Sequence, residues 1–279
     1  MIKHRKPLTF LALLAFVASV ELAARSFLQL PIYLADAEQG YSLSPNQSGA
    51  FAGNHWSFNE LGMGVDTQFD PGPEVDLLLV GDSLVFGGTE LDQRDRLGAT
   101  ISRQSGVKVW PLAAGSWNLV NELRAVKRTA ALRAEIDKVV FVVNSGDFDG
   151  PSHWENNNTH PTKFPAIYSW YILNRYILNF DDGVPGIPVR IGSGFREWNE
   201  FLSNENIKNV EITVIGYSQD ADGNCPWIPA YIVNSVKVRC FDANYLKNNG
   251  GLRDSIHPNA KGNIILANEL IKEISVIAR

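Results

Sequence analysis

The chain is organised around residues 75–83, VDLLLVGDS. Residues 75–80 form a short apolar run, which predicts a strand buried on both faces of a sheet. The run leads directly into Gly81, Asp82 and Ser83. Gly81 permits a tight turn from strand to helix that would expose the Ser83 hydroxyl above the sheet edge, where backbone N–H groups could receive a developing oxyanion. The alternative is a serine that only caps a helix, with Asp82 beside it.

The rest of the chain alternates strand and helix patterns. Further strands are predicted at residues 107–112, 138–143, 210–215 and 236–240. Helices are predicted at residues 97–104, 119–133, 193–203 and 260–276. Strands that alternate with helices indicate a parallel sheet covered on both faces, so the predicted fold class is α/β, a three-layer α/β/α sandwich.

Two segments depart from this alternation. Residues 36–74 are rich in Gly, Ser, Asn and Pro and contain the break Asp70-Pro71-Gly72-Pro73, so we interpret them as an irregular linker. Residues 148–188 are crowded with aromatic side chains, His153, His160 and several Asn and Pro residues. A long irregular insertion inside a domain is usually functional or disordered, and the aromatic content argues against disorder. The insertion is predicted to be a lid or a substrate-binding surface.

A second motif precedes the final helix, in residues 253–259, RDSIHPN. Asp254 stands three residues before His257, a spacing that can place its carboxylate on the imidazole Nδ1. This contact fixes the tautomer and leaves Nε2 free to accept a proton from a serine hydroxyl. A capping Asp and a surface His are the alternative, but the combination with the Gly-Asp-Ser motif is far more specific than either motif alone.

These two motifs together resemble the SGNH (GDSL-type) hydrolase superfamily, over roughly residues 75–279. The resemblance implies a flavodoxin-like parallel sheet, with Ser83 as nucleophile, His257 as base and Asp254 as its orienting acid. It also implies esterase chemistry through an acyl-enzyme, without a metal or another cofactor. Asp82, Asp147 and Trp154 are expected to contact the substrate.

The two middle motifs of the superfamily are matched more loosely. Gly115 is the expected backbone donor to the oxyanion, together with the N–H of Ser83. The superfamily's third motif, GxND, corresponds to residues 143–148, VNSGDF, where an Asn and an Asp are present but not adjacent. Asn144 is the favoured third donor, which requires a rearranged loop; otherwise Asp147 takes the Asp position and Gly146 replaces the Asn.

The N-terminal residues 1–35 are of a different kind. Lys3, Arg5 and Lys6 precede a run without charge at residues 8–20, the pattern of an export signal. Two interpretations compete: a cleaved signal peptide, and an uncleaved anchor in which residues 8–30 hold the protein in the inner membrane. A core helix of a soluble protein is the third interpretation. The first two place the body of the protein in the periplasm or another extracytoplasmic space, where Cys225 and Cys240 could be bonded or remain free thiols.

Composition narrows the functional classes further. The 279 residues are 45% hydrophobic and 20% charged, with a net charge of −5, which is typical of a globular protein and disfavours a nucleic-acid partner. We therefore expect an exported serine esterase acting on a small ester or an O-acylated carbohydrate. The alternatives are an acyltransferase that O-acetylates a cell-surface polysaccharide, a lipid esterase, and an inactive glycan-binding member of the fold.

Overall fold

The computed structural model describes residues 5–72, 75–129, 136–207, 209–220 and 223–274. The strands are β1 Tyr33–Asp36, β2 Gly40–Leu43, β3 Gln47–Phe51, β4 Asn54–Phe58, β5 Asp76–Gly81, β6 Lys108–Ala113, β7 Lys138–Val143, β8 Glu211–Ser218 and β9 Lys237–Asp242. The helices are α1 Arg5–Phe27, α2 Ser83–Phe86, α3 Leu97–Ser105, α4 Leu119–Arg128, α5 Tyr168–Leu173, α6 Gly194–Leu202, α7 Ala230–Val233, α8 Ala243–Asn248 and α9 Ala260–Ile274.

A parallel sheet of five strands forms the centre of the molecule, in the order β6-β5-β7-β8-β9. This is the flavodoxin-like order, in which the first strand of the sheet lies between the second and the third. Every residue of β5 and β7 is buried, as expected for strands covered on both faces. The predicted parallel three-layer α/β fold is therefore confirmed.

Two helical layers cover the sheet. α3 packs against α9, and α4 packs against α6. Since parallel crossovers are right-handed, these pairs lie on opposite faces of the sheet. A buried ion pair joins α4 to α6, with Arg124 Nη2 2.9 Å from Glu197 Oε1. α4 ends at Arg128 because Thr129 is extended, so the helix predicted at residues 119–133 is interrupted there. Residues 130–133 of that prediction lie outside the described residues, as do residues 275–276 of the last predicted helix.

The structure corrects part of the prediction of an irregular segment at residues 36–74, since residues 40–58 contain strands, whereas residues 59–72 contain neither strand nor helix. β1 pairs with β2 and β3 pairs with β4, both as antiparallel hairpins. Ala52 and Gly53 both have positive φ and form the two-residue turn of the second hairpin, without the Asn-Gly or Asp-Gly pair that usually signals such a turn. Tyr41 and Trp56 on these hairpins are buried in the main core, so the segment belongs to the folded domain.

The N-terminal helix α1 contains a stretch, Thr9–Phe27, that is long and apolar enough to cross a membrane by length and composition. Only 6% of this stretch is buried. Elsewhere, Cys225 and Cys240 are paired as a disulfide with their Cα atoms 5.8 Å apart.

Candidate active site

Three loops that follow neighbouring strands of the sheet form the candidate site. Ser83 follows β5, Gly115 follows β6 and Asn144 follows β7. Parallel strands bring their carboxyl ends to one edge, and ligands bind where the strand order reverses, which here is beside β5. All three residues line one cavity of about 730 Å³.

Close packing at the end of β5 determines how Ser83 is presented. A Cβ atom on Gly81 would lie 2.5 Å from Val85 Cγ2 and 3.0 Å from the Val142 carbonyl oxygen, so a side chain does not fit there. The Asp82 carboxylate caps the short helix α2 by accepting from the Leu84 N–H at 2.8 Å. Ser83 is therefore the first residue of helix α2, directly after the turn.

Ser83, His257 and Asp254 form a continuous hydrogen-bonded chain. His257 Nε2 lies 2.9 Å from Ser83 Oγ, and His257 Nδ1 lies 2.8 Å from Asp254 Oδ2. Both distances are within the range expected for a nucleophile, its base and the group that orients the base. The structure thus brings together two sequence motifs that are 174 residues apart.

Local hydrogen bonds hold Asp254 in the position needed for this contact. Its Oδ1 accepts from the backbone N–H groups of Ile256 at 2.9 Å and His257 at 2.8 Å. Burial acts to raise the pKa of Asp254, but these N–H groups and the His257 ring outweigh it and lower the pKa to about 2. The carboxylate is consequently ionised at neutral pH, opposite the imidazole Nδ1.

The loop that carries Asp254 and His257 is attached to the domain on two sides. The Tyr217 hydroxyl donates to the Ile256 carbonyl at 2.7 Å, from the end of β8. On the other side, Arg253 Nη1 donates to the Gly87 carbonyl at 2.7 Å, directly after α2. Because Ser83 opens α2, the Arg253 contact couples the position of His257 to that of Ser83.

The side-chain amide of Asn144 points at carboxyl groups. Its Nδ2 donates to Asp82 Oδ2 at 3.0 Å and to Asp147 Oδ1 at 3.1 Å, and its Oδ1 accepts from Gly146 N at 2.8 Å. An amide nitrogen has two hydrogens, so both are engaged. Asn144 could therefore serve as an oxyanion donor only after releasing one carboxyl group, and Gly146 contributes its N–H to the loop instead of a side chain.

Gly115 is held in place by the first hairpin. The Tyr41 hydroxyl donates to the Gly115 carbonyl at 2.7 Å, and the Trp117 indole N–H donates to the Tyr41 carbonyl at 2.8 Å. The next residue, Ser116, has a φ of 61°, which turns the loop sharply after Gly115. Tyr41 is a site residue that was missed from the sequence, where its only signal is a short apolar alternation in a segment rich in small residues.

Three buried carboxyl groups lie together beneath Ser83. Burial raises the pKa of Asp82 to about 6, although the Leu84 N–H opposes the rise. Burial raises the pKa of Glu122 well above its ordinary value, and the charges of Asp147 and Asp82 add to the rise. The pKa of Asp147 is also raised, first by burial and then by the charge of Asp82. Neither carboxyl oxygen of Glu122 has a hydrogen-bond partner among the described residues. We call Asp82, Glu122 and Asp147 the buried acid cluster.

The cavity in front of Ser83 has aromatic and polar walls. Its lining includes Tyr33, Tyr41, Asn118, His153, Glu155, His160 and Arg175, as well as Asp82 and Asp147. His160 stacks against Tyr41 with ring centroids 4.2 Å apart, and burial, then the charge of Arg175, lowers its pKa to about 4. His160 is therefore neutral at neutral pH, and its Nδ1 contacts Thr159 Oγ1 at 3.2 Å.

Trp154 does not occupy the position expected from the sequence. Its side chain is 3% exposed, lies outside the lining of the cavity and belongs to the main core. Its indole N–H donates to the His160 carbonyl at 2.6 Å. The expectation that Trp154 contacts substrate is thus corrected: the indole packs beneath the insertion and supports His160, which does line the cavity.

Among the described residues, no group of three or more His, Cys, Asp or Glu side chains is arranged to hold a metal ion. No protein-family model and no curated protein sequence matches the chain.

Solved structures of similar fold include proteins of the group that the sequence motifs resemble. A protein assigned to the lipolytic G-D-S-L family from Desulfitobacterium hafniense is 11% identical, with a TM-score of 0.44, over 71% of this chain and 98% of that one. An acetylxylan esterase from Geobacillus stearothermophilus, solved as a catalytic mutant, is 15% identical, with a TM-score of 0.41, over 74% and 95%. A family two carbohydrate esterase from Cellvibrio japonicus is 16% identical, with a TM-score of 0.39, over 75% of this chain and 63% of that one.

Proposed function

We propose that this chain is an exported serine esterase of the SGNH type. The observation that carries the proposal is the hydrogen-bonded chain from Ser83 Oγ through the His257 ring to an ionised Asp254, at the wall of a cavity of about 730 Å³. A serine that only caps a helix needs no imidazole at 2.9 Å, and a surface histidine needs no oriented carboxylate. The contacts therefore favour nucleophilic catalysis.

The proposed reaction is acyl transfer through a covalent intermediate. His257 Nε2 takes the Ser83 proton as Oγ attacks the ester carbonyl carbon, and Asp254 stabilises the imidazolium that forms. His257 then gives the proton to the departing alkoxide as the bond between the acyl carbon and the alcohol oxygen breaks. Water then loses a proton to His257 as it attacks the acyl carbon, the bond between that carbon and Ser83 Oγ breaks, and His257 returns the proton to Oγ as the acid leaves.

The oxyanion would be held first by backbone groups. The N–H groups of Ser83 and Gly115 are the proposed donors, since both residues follow adjacent strand ends and line the cavity. Asn144 joins them only if its amide leaves Asp82 or Asp147, so we assign it first the role of holding the loop after β7 in place.

The substrate that fits this cavity best is an ester on a polar molecule, with an O-acylated carbohydrate as the leading class. Asn118, Glu155 and Arg175 supply hydrogen-bonding groups around this space, and the buried rings of Tyr33 and Tyr41 stiffen its wall. A cavity lined by several hydrogen-bonding groups suits a polar substrate such as a sugar better than a long acyl chain. The proposed location outside the cytoplasm is supported by α1 and by the disulfide between Cys225 and Cys240.

Hydrolysis of p-nitrophenyl acetate by the full-length protein in detergent micelles tests the proposal. We expect Ser83→Ala to lower the rate by at least about 10³-fold, because the nucleophile is lost. Ser255→Ala is the matched control, since this exposed serine lies in the same loop as His257 and should leave the rate unchanged. A fluorophosphonate probe should label the wild type and the control but not Ser83→Ala.

Equal background rates in the wild type and Ser83→Ala, with no fluorophosphonate labelling, would overturn the esterase proposal. If the ester is consumed only when an alcohol acceptor is added, and the acylated alcohol is the product, the same three residues would carry out the acyltransferase alternative.

A further inference from the structure

The N-terminal helix is joined to the aromatic insertion by specific polar contacts. Glu21 Oε1 accepts from the backbone N–H of Tyr168 at 2.8 Å, and Glu21 Oε2 accepts from the N–H of Ser169 at 2.9 Å and from its hydroxyl at 2.7 Å. One turn later, Arg25 Nη2 donates to the Ala166 carbonyl at 2.7 Å and Arg25 Nε pairs with Glu21 at 2.7 Å. A carboxylate of α1 thus caps helix α5 of the insertion.

The end of α1 is fixed to the domain as well. The Tyr168 hydroxyl donates to the Leu28 carbonyl and accepts from the Leu30 N–H, both at 2.8 Å. Ala24 and Leu30 bury their side chains with Tyr168 and Tyr171 in a cluster separate from the main core. The segment after α1 therefore continues into the folded domain through defined contacts.

These contacts oppose cleavage of the N-terminal segment. A cut after Ala24 would fall inside the cluster and remove Glu21 from α5. A cut at Ala35-Asp36-Ala37 would divide β1 from the domain, although β1 pairs with β2 and Tyr33 belongs to the main core. The folded structure includes α1 as a part that the insertion requires.

An apolar surface extends from α1 onto the insertion. Trp170 is 53% exposed and Ile177 is 73% exposed, next to α1 residues such as Phe27 that are also exposed. A groove of about 860 Å³ between the two is lined almost wholly by apolar side chains, including Val20, Ala23, Leu173 and Tyr176. Exposed apolar patches of this kind mark interaction surfaces.

We propose that the partner covering this surface is a lipid bilayer, with α1 retained as a membrane-spanning helix and α5 seated in the bilayer interface. Thr9–Phe27 is about 28 Å long at 1.5 Å per residue, close to the ~30 Å thickness of the hydrocarbon core. Because α5 packs on the last two turns of that stretch, it lies within about 10 Å of the boundary between the hydrocarbon core and the headgroups, where Trp and Tyr side chains are favoured. We call Ile167, Trp170, Leu173, Tyr176 and Ile177 the interfacial patch.

The bilayer fits this surface better than a second copy of the chain does. From Thr9 to Val20, exposed apolar side chains occur around the whole circumference of α1, for example at Phe10, Leu11, Leu13 and Leu14. A helix that is apolar on all sides requires an apolar surrounding rather than a single partner face. The interfacial patch adjoins that surface across the groove, whose lining is apolar apart from Ser169, so one partner covers both.

Fluorescence quenching by brominated phosphatidylcholine in nanodiscs tests the proposal on the full-length protein. We expect bromine placed near the headgroups to quench the wild type more strongly than bromine at the bilayer centre. Trp170→Phe should lose about half of that quenching or more, because the indole of Trp170 lies in the interfacial patch. Trp227→Phe is the matched control, since its ring packs against Phe148 away from the patch and its loss should leave the quenching in place.

Ile177→Trp on the Trp170→Phe background should restore the quenching, which keeps the test valid if a single substitution perturbs folding. Ser83→Ala should behave as the wild type, so this result does not depend on the esterase proposal. Absence of quenching at both depths, or quenching unchanged in Trp170→Phe, would overturn the proposal. Two chains in each disc with Trp170 unquenched would assign the groove to a second copy, and recovery from cells of protein that begins after residue 24 or 37 would exclude the retained helix.

Discussion

Asn144 uses all the hydrogen bonds that its side-chain amide can donate before any substrate arrives. Its acceptors, Asp82 and Asp147, are both buried. The amide is uncharged and neutralises neither carboxyl group, but it satisfies part of their hydrogen-bonding capacity. A buried acceptor left without a partner costs about 1–3 kcal/mol. The main role of the Asn144 side chain is therefore to stabilise the folded protein.

Asn144→Ala separates this role from that of an oxyanion donor. We expect the substitution to lower the Tm by several degrees, because Asp82 and Asp147 each lose a donor, and to lower kcat by less than about 10²-fold. Loss of an oxyanion donor costs about 10²–10³-fold in kcat without a comparable loss of stability. Thermal unfolding and p-nitrophenyl acetate kinetics on the same preparation distinguish the two, and an unchanged Tm with a larger loss of kcat would contradict the positioning role.

The element that carries His257 is the loop between α8 and α9. Asp254 has two separate functions there: Oδ1 shapes the loop by accepting from two backbone N–H groups, and Oδ2 orients His257. These functions use different oxygens of the same carboxylate, so they can be separated by a conservative substitution.

Asp254→Asn should retain the loop and lose the catalysis. The amide oxygen can still accept from the N–H groups of Ile256 and His257, so we expect the Tm to change little. The amide cannot stabilise the imidazolium or fix the required tautomer, and we expect kcat to fall by about 10³-fold or more. A large fall in Tm would show that the loop had collapsed, and an unchanged kcat would remove Asp254 from the mechanism.

Elements with a strong local pattern could be predicted from the sequence. β7 has the predicted bounds. Two other signals are local, because each depends on a few adjacent residues: the strand before Ser83, and the spacing of Asp254 and His257. The hairpins before residue 59 were missed, because what stabilises them is contact with the distant domain. The Tyr41 hydroxyl bonds to a carbonyl 74 residues away, and no local pattern encodes that contact. The interior position of Trp154 depends in the same way on the packing of the whole insertion.

For the whole molecule, the buried acid cluster makes stability depend on pH. The pKa of Asp82 is raised from 3.8 to about 6, so the folded protein binds this proton more tightly than the unfolded chain does. The resulting stabilisation is complete below about pH 4 and is lost as the pH rises through about 6. The pKa values of Glu122 and Asp147 shift in the same direction, whereas Asp254, with a pKa of about 2, contributes above about pH 4 and loses its contribution as the pH falls through about 2.

The Tm of the full-length protein is therefore expected to fall by several degrees between about pH 5 and about pH 8. Glu122→Gln should make this fall shallower and raise the Tm at about pH 8, since it removes one of the three interacting acids. Glu269→Gln, on the exposed side of α9, is the control and should leave the pH dependence as it is in the wild type. Calorimetry across this range provides the measurement, and a slope that Glu122→Gln does not alter would mean that the buried acid cluster is not the source of the pH dependence.

The connection between α1 and the folded domain has a consequence for how far the proposed active site can travel. Gln29 N donates to the Ala50 carbonyl and Ala52 N to the Phe27 carbonyl, so the chain pairs with the hairpin of β3 and β4 as soon as the helix ends. A flexible linker would let the domain sample a volume that grows with its length, but none intervenes between α1 and the hairpin. With α1 in a bilayer, the cavity would stay within one domain's width of the membrane and face it at a fixed angle. A mobile substrate would then be modified only while it passes along that surface, and the local concentration of esters at the membrane, rather than their bulk concentration, would set the rate.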